Sequence, residues 1–364
     1  MTRGITRLRA LAGAVRQALR QPRLAARPAN PSKILVLHEL LLGDTLLLAA
    51  LFAALRHRYP EAEIHVTARP AHAALLGSRP YGVKVLPFSE REPGALEALA
   101  PASGCDIAIL PGENRFAILA RSLGAKWTVA HAGGKPGWND RATDERVPFP
   151  SEPAALADMF ASLAGPGLEH LRYAAADWPS PVCAPFRGPA APYAVLHVGA
   201  GSRLRLWGAA KWLKVAEALE AQGIAPVWTA GSDEAGLVRE IDPGAKYMSL
   251  AGRLDLAQIW HVLEGAHFAV TLDTGIAHMA KLTRTPVVTL FGPGSPVLFG
   301  KGCFWQDNAF AEVSTRIACR DQQHVFKREI EWVRRCNRTV ADCPRARCME
   351  AIGPEQVLTA LQVE

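Results

Sequence analysis

Residues 250–295 read LAGRLDLAQIWHVLEGAHFAVTLDTGIAHMAKLTRTPVVTLFGPGS. Two short runs in it, Phe268–Leu272 and Val287–Phe291, have the apolar, β-branched composition of strands buried on both faces of a parallel sheet. Helical patterns over Leu256–Glu264 and Ile276–Leu282 precede them. At the carboxyl end of the first run stands Asp273-Thr274-Gly275, and a helix carrying His278 opens at once. Gly275 allows a ligand close to the backbone, and the free amides and positive dipole of a helix start favour a phosphate. Asp273 and His278 then suit sugar hydroxyls; the alternative is that Asp273 and Thr274 merely cap the helix. The second run ends in Phe291-Gly292-Pro293-Gly294-Ser295, a second loop of bare amides.

Working outward, the same alternation recurs. Tyr193–His197 reads as a buried strand leading into Val198-Gly199-Ala200-Gly201-Ser202, with Arg203, Arg205 and Trp207 beyond. Small residues followed by two guanidinium groups suit a pyrophosphate, and Arg205 is placed to neutralise a departing diphosphate. A helix over Ala209–Gln222 leads to a strand at Pro226–Ala230 and the turn Gly231-Ser232-Asp233-Glu234, where Asp233 can hold ribose hydroxyls or simply cap a helix. The first half opens the same way. A strand at Lys33–His38 and Gly43-Asp44 come first, then an apolar helix to Tyr59, a strand at Glu63–Ala68, and apolar runs at Val83–Pro87 and Asp106–Leu110. Asp44 is either an N-cap or, facing a cleft, a general base for a hydroxyl. Residues 174–192 hold five prolines and no helical pattern.

The expected fold class is therefore α/β, with two doubly wound, Rossmann-like domains facing across a cleft. The expected organisation is a basic tail (1–30), a first domain (31–180), a linker (181–192), a second domain (193–318) and a cysteine-containing helical segment (319–364). The length of 364 residues suits two ordinary cores. The net charge of +7 lies in the tail, where Arg3, Arg7, Arg9, Arg16, Arg20, Arg23 and Arg27 occur without an acid. The remainder has 34 basic and 34 acidic residues, which argues against nucleic-acid binding. Helical spacing of Ile5, Leu8, Leu11, Ala12, Val15 and Leu19 among these arginines points to an anionic membrane surface contacted through residues 3–27, or to a helix packed on the body. Seven cysteines without an export pattern predict a reducing cytoplasm. Cys319, Cys336, Cys343 and Cys348 are separated by 16, 6 and 4 residues and are candidates for a structural zinc or iron site, although Cys-x-x-Cys is absent.

The ordered set resembles glycosyltransferase family 9, the heptosyltransferases of lipopolysaccharide synthesis, over most of residues 33–361. The resemblance rests on Leu250-Ala251-Gly252 through Ser295, including Asp273-Thr274-Gly275-x-x-His278-x-Ala280, Pro286 and Leu290-Phe291-Gly292. Gly43-Asp44 and the run His197-x-Gly199-Ala200…Arg205-x-Trp207 add to it. It implies the two-domain fold called GT-B and an inverting, metal-independent transfer of heptose from ADP-heptose to a phosphorylated lipid-core acceptor at the inner face of the cytoplasmic membrane. Asp44 matches the family's base. Arg205 matches the basic residue that assists the diphosphate, a lysine in many members. Asp273, Thr274, Gly275 and His278 match the donor motif, with Gly199, Ala200, Gly292, Gly294 and Ser295 as further donor contacts and Asp233 as the ribose acid. The chain holds no Asp-x-Asp, the metal–diphosphate motif of other transferases. Two rival readings are a heptosyltransferase acting on protein, favoured by an iron-binding cysteine group, and a nucleotide-sugar-binding scaffold without catalysis.

Overall fold

The computed structural model describes residues 12–14, 24–133 and 137–362. The first sheet contains β1 (Lys33–Val36), β2 (Glu63–Ala68), β3 (Lys84–Pro87), β4 (Ile107–Leu110), β5 (Trp127–His131) and β6 (Glu145–Val147). Its order is β3-β2-β1-β4-β5-β6, and every pairing is parallel. The second sheet contains β7 (Tyr193–His197), β8 (Ala225–Thr229), β9 (Met248–Ser249), β10 (Phe268–Leu272), β11 (Val287–Phe291) and β12 (Phe310–Ser314). Its order, β12-β11-β10-β7-β8-β9, repeats the first topology, again all parallel. Each sheet reverses direction at one switch point, between β1 and β4 and between β7 and β10. Ligands of such sheets bind beyond the strand ends at that point.

Ile34, Leu35 and Val36, like Ala194, Val195 and Leu196, are fully buried, as strands covered on both faces by helices must be. One apolar cluster crosses between the halves, running from Leu46 and Phe52 through Trp178 and Trp260 to Met279 and Leu282. Trp178 and Trp260 lie with ring centres 5.8 Å apart, which ties the irregular connection to the Leu256–Glu264 helix.

The C-terminal segment departs from the helical expectation. Among the described residues of this segment, helix is confined to Arg347–Glu350 and Pro354–Leu361. Between Cys319 and Cys336 the chain makes a small hairpin, β13 (His324–Val325) and β14 (Arg328–Glu329). The hairpin docks on the first domain, where Arg328 donates to the carbonyls of Gly112 (3.0 Å) and His131 (3.3 Å) and Trp332 Nε1 donates to Pro150 O (2.9 Å). Its ends return to the second domain, so the segment straps one half to the other.

Of the tail, Ala12–Ala14 are helical and Gly13 lies against Ser122 of the first domain. Arg27 pairs with Glu145 at 3.2 Å and stands over the Tyr59 ring. Arg3, Arg7, Arg9, Arg16, Arg20 and Arg23 lie outside the described residues. Among the described residues no helix is long and apolar enough to cross a membrane.

Candidate active site

The first helix begins at Leu42, earlier than its apolar run suggests, after Leu41 in extended backbone (φ −73°, ψ 167°). Asp44 is therefore not the N-cap. It lies in the first turn of Leu42–Leu47, just beyond β1. Opposite it, Thr274 is the N-cap of Gly275–Leu282, just beyond β10. The two helix starts abut. A Cβ added to Gly275 would stand 2.9 Å from Leu42 and 3.2 Å from the Gly43 amide nitrogen, and one added to Gly43 would stand 3.1 Å from the His278 ring. Glycine at both positions lets the backbones approach closely enough to bring Asp44 and Asp273, one from each domain, into each other's field.

That pairing sets the electrostatics. Desolvation pushes the Asp44 carboxyl up to about 6, Arg335 and Arg205 oppose the rise, and the Asp273 charge adds to it. Asp273 is buried and likewise raised by desolvation, with Arg205, Lys281, Arg335 and Arg320 acting against it. Arg205 is anchored beside the pair because its Nη1 donates to the Asp273 carbonyl at 2.7 Å. His278 is buried and held well below its usual pKa, so its ring is neutral. Asp273 Oδ2, Thr274 Oγ1 and His278 Nδ1 are three buried polar atoms here with no protein partner. Buried polar groups are almost always paired, so these three atoms are open to a partner from outside the protein, a ligand or water.

The Gly292–Ser295 loop closes the site from the next strand. A Cβ on Gly294 would overlap the Asp273 carboxylate, so this residue must be glycine for that side chain to hold its place. Ser295 Oγ accepts the Leu298 N–H at 3.4 Å and caps the short helix Pro296–Phe299 instead of reaching the cleft. Gly292 faces the C-terminal segment, where Met349 occupies the space a Cβ would need and Arg320 Nε donates to its carbonyl at 2.7 Å.

Around β7 the placement differs from the sequence expectation. The Ala200 amide donates to Glu234 Oε1 at 2.7 Å, and Gly199 lies directly beneath the same carboxylate. Asp233 is exposed, so Glu234 is the acid beside this loop. The two are adjacent in a single 3-10 turn, Ser232–Glu234, and only the rotation of that turn decides which points inward. Lys281 was also not singled out. It is fully buried one turn beyond His278, and its Nζ donates to Phe299 O (2.7 Å) and Gly300 O (2.6 Å), fixing the far end of the short helix. Burial lowers its pKa to about 7.

On the first-domain side, Asp44 opens into a cavity of about 270 Å³ lined by His38, Glu39, Leu40, Arg69, Arg115 and Phe326. Arg115 bridges Glu39 (3.0 Å) and Glu90 (3.3 Å), and His38 is buried and neutral, its pKa lowered to about 3 by burial. Cys319, Cys336, Cys343 and Cys348 line a separate cavity of about 630 Å³ beside Pro293. Among the described residues, no three His, Cys, Asp or Glu side chains converge closely enough to hold an ion. As placed, the thiols do not fit a tetrahedral zinc or iron site.

The profile of glycosyltransferase family 9 (heptosyltransferase) matches residues 159–331. Lipopolysaccharide heptosyltransferase 3 of Escherichia coli is 26% identical over 276 residues, 69% of this chain and 80% of that protein. Lipopolysaccharide heptosyltransferase 1 of Salmonella typhimurium is 32% identical over 111 residues, 30% of this chain, and the match spans only 35% of that relative. The solved structure of E. coli ADP-heptose lipopolysaccharide heptosyltransferase II superposes with a TM-score of 0.65 at 20% identity, covering 91% of this chain and 97% of that one. With two like-ordered parallel sheets and an Asp-Thr-Gly-x-x-His helix start at the switch point, residues 159–331 match glycosyltransferase family 9, and the whole chain has the fold of a solved heptosyltransferase.

Proposed function

We propose that the protein transfers heptose from ADP-heptose to a hydroxyl of a lipopolysaccharide inner-core acceptor, with inversion and without a metal ion. The observation that carries this reading is the meeting of Asp44 and Asp273 across abutting helix starts, with Arg205 anchored beside them. Asp44 is the general base. A carboxylate raised to about 6 is still mostly ionised at neutral pH and is a stronger proton acceptor than an ordinary one. It takes the acceptor hydroxyl proton as that oxygen bonds to the anomeric carbon. The bond from that carbon to the diphosphate oxygen breaks on the opposite face, and its electron pair leaves with ADP.

Arg205 and the amides at the Gly275 helix start meet the charge that develops on the diphosphate. Asp273, Thr274 and neutral His278 hold sugar hydroxyls through the buried atoms that lack protein partners. The cavity beside Asp44 takes the acceptor. The basic tail contacts the anionic membrane on which that acceptor sits.

Calorimetric titration with ADP, UDP and GDP tests the donor assignment. ADP is expected to bind best and to weaken by about tenfold in Arg205→Gln, the usual cost of one charge-assisted contact. Preference for UDP or GDP rejects the ADP-sugar donor, and the absence of any nucleotide binding rejects the site.

A further inference from the structure

Arg335 belongs to no motif, yet the fold delivers it to the reaction centre. Gln322 and Arg335 exchange backbone hydrogen bonds of 2.9 and 3.1 Å, and the next amide, Cys336, donates to Pro293 O at 2.9 Å. The strap thus fixes Arg335 against the loop that carries Gly294. Its guanidinium stands over the Phe299 ring, 5.9 Å from the centroid. Arginine Nε of this residue is buried and has no acceptor in the protein. Among the charges acting on Asp44, that of Arg335 is the largest, ahead of Asp273 and Arg205, and it acts on Asp273 as well.

Neighbouring arginines of the strap are committed elsewhere. Arg320 donates to Gly292 O and Phe291 O, Arg328 to Gly112 O and His131 O, and Arg338 pairs with Asp321. Among the described residues Arg335 makes no ion pair, although it is held beside two carboxylates. Those carboxylates repel an incoming diphosphate. A nucleoside diphosphate sugar is itself dianionic, and the departing diphosphate gains further charge as the sugar bond breaks. Arg205 alone leaves that charge under-compensated in a site screened from water.

We propose that Arg335 is a ligand of the donor's sugar-bonded phosphate, standing opposite Arg205, so that the C-terminal strap supplies a catalytic side chain. This rests on the reading of the cleft as a nucleoside-diphosphate-sugar site. The phosphate concerned is the distal one because the strap holds Arg335 against the Pro293–Gly294 loop on the Asp44 side of the cleft, where its charge is the largest of those felt by Asp44, the residue at the anomeric centre.

The test is calorimetric titration of the full chain with ADP and with AMP, which lacks the distal phosphate, for the wild type, Arg335→Gln and Arg335→Lys. ADP affinity is expected to fall about tenfold in Arg335→Gln and to recover in part in Arg335→Lys, with AMP affinity within twofold throughout. Arg335→Gln binding ADP as tightly as the wild type overturns the inference and leaves the site reading standing. Equal weakening of ADP and AMP also overturns it, since that reports a distorted pocket. A wild type that binds neither nucleotide removes the site reading and the inference together.

Discussion

At the scale of single residues, Asp44 carries opposed demands from chemistry and stability. Its folded pKa, about 6, lies above the ordinary 3.8, so folding disfavours the ionised form. The native state is therefore penalised as pH rises from below 4 through 6, and the penalty persists at higher pH. A shift of that size corresponds to up to about 3 kcal/mol. Asp44→Asn removes the charge at nearly constant shape. It is expected to melt above the wild type at pH 8, with the difference closing below pH 4; thermal melts of both proteins across that range check this. The same carboxyl should place the acidic limb of kcat/KM near pH 6, because the base must be ionised to accept a proton. A rate that stays flat down to pH 5 removes Asp44 from the role of base. Burial and the Lys281 and Arg205 charges hold His278 well below its usual pKa, which moves its titration away from that limb.

Among elements, the helix starts at Leu42 and Gly275 are what a mutation should disturb most. A methyl group on Gly275 meets Leu42 and the Gly43 backbone, and backbone cannot yield cheaply. Gly275→Ala is expected to cost about 1–3 kcal/mol in urea unfolding, as overpacking of a tight interior does. Gly294→Ala displaces the Asp273 carboxylate instead, so it should weaken donor binding while shifting the urea midpoint little. Strand boundaries were largely legible beforehand: Glu63–Ala68, Tyr193–His197, Phe268–Leu272 and Val287–Phe291 fall where their apolar runs place them. The start of the Leu42–Leu47 helix is not legible in the sequence, because Leu41 offers no polar cap to announce it. The sequence does not separate Asp233 from Glu234, because the phase of a single turn leaves no periodic trace. The hairpin between Cys319 and Cys336 leaves no strand pattern, because its strands are two residues each and its position depends on contacts with Gly112 and Pro293, far away in sequence.

For the whole molecule, the strap and the tail are the parts that composition alone describes poorly. Arg328 is buried and holds two carbonyls of the first domain, and a substitution that removes its guanidinium strands both. Arg328→Met is expected to destabilise by about 2–4 kcal/mol, measured by urea unfolding. Phe326, beside it, lines the cavity at Asp44, so the strap bears on both halves of the proposed reaction. The tail holds every unit of the net charge, and its binding to anionic vesicles should fall steeply between low and moderate salt and vanish when residues 1–23 are removed. Sedimentation that is indifferent to salt, or unchanged by the truncation, rejects the membrane contact. The repeated sheet order was foreseeable from the recurring strand–glycine–helix pattern, because each half had to bury its own parallel strands.

The most direct test of the account is transfer of heptose from ADP-heptose to a heptose-free lipid A core acceptor by the wild type and Asp44→Asn, with donor affinity measured on the same preparations. The account predicts transfer by the wild type, a loss of at least about a thousandfold in Asp44→Asn, and donor binding by Asp44→Asn as tight as the wild type's or tighter, since removal of the base also removes a charge that repels the diphosphate. Turnover by Asp44→Asn near the wild-type rate, or a loss of donor binding equal to the loss of turnover, would contradict it.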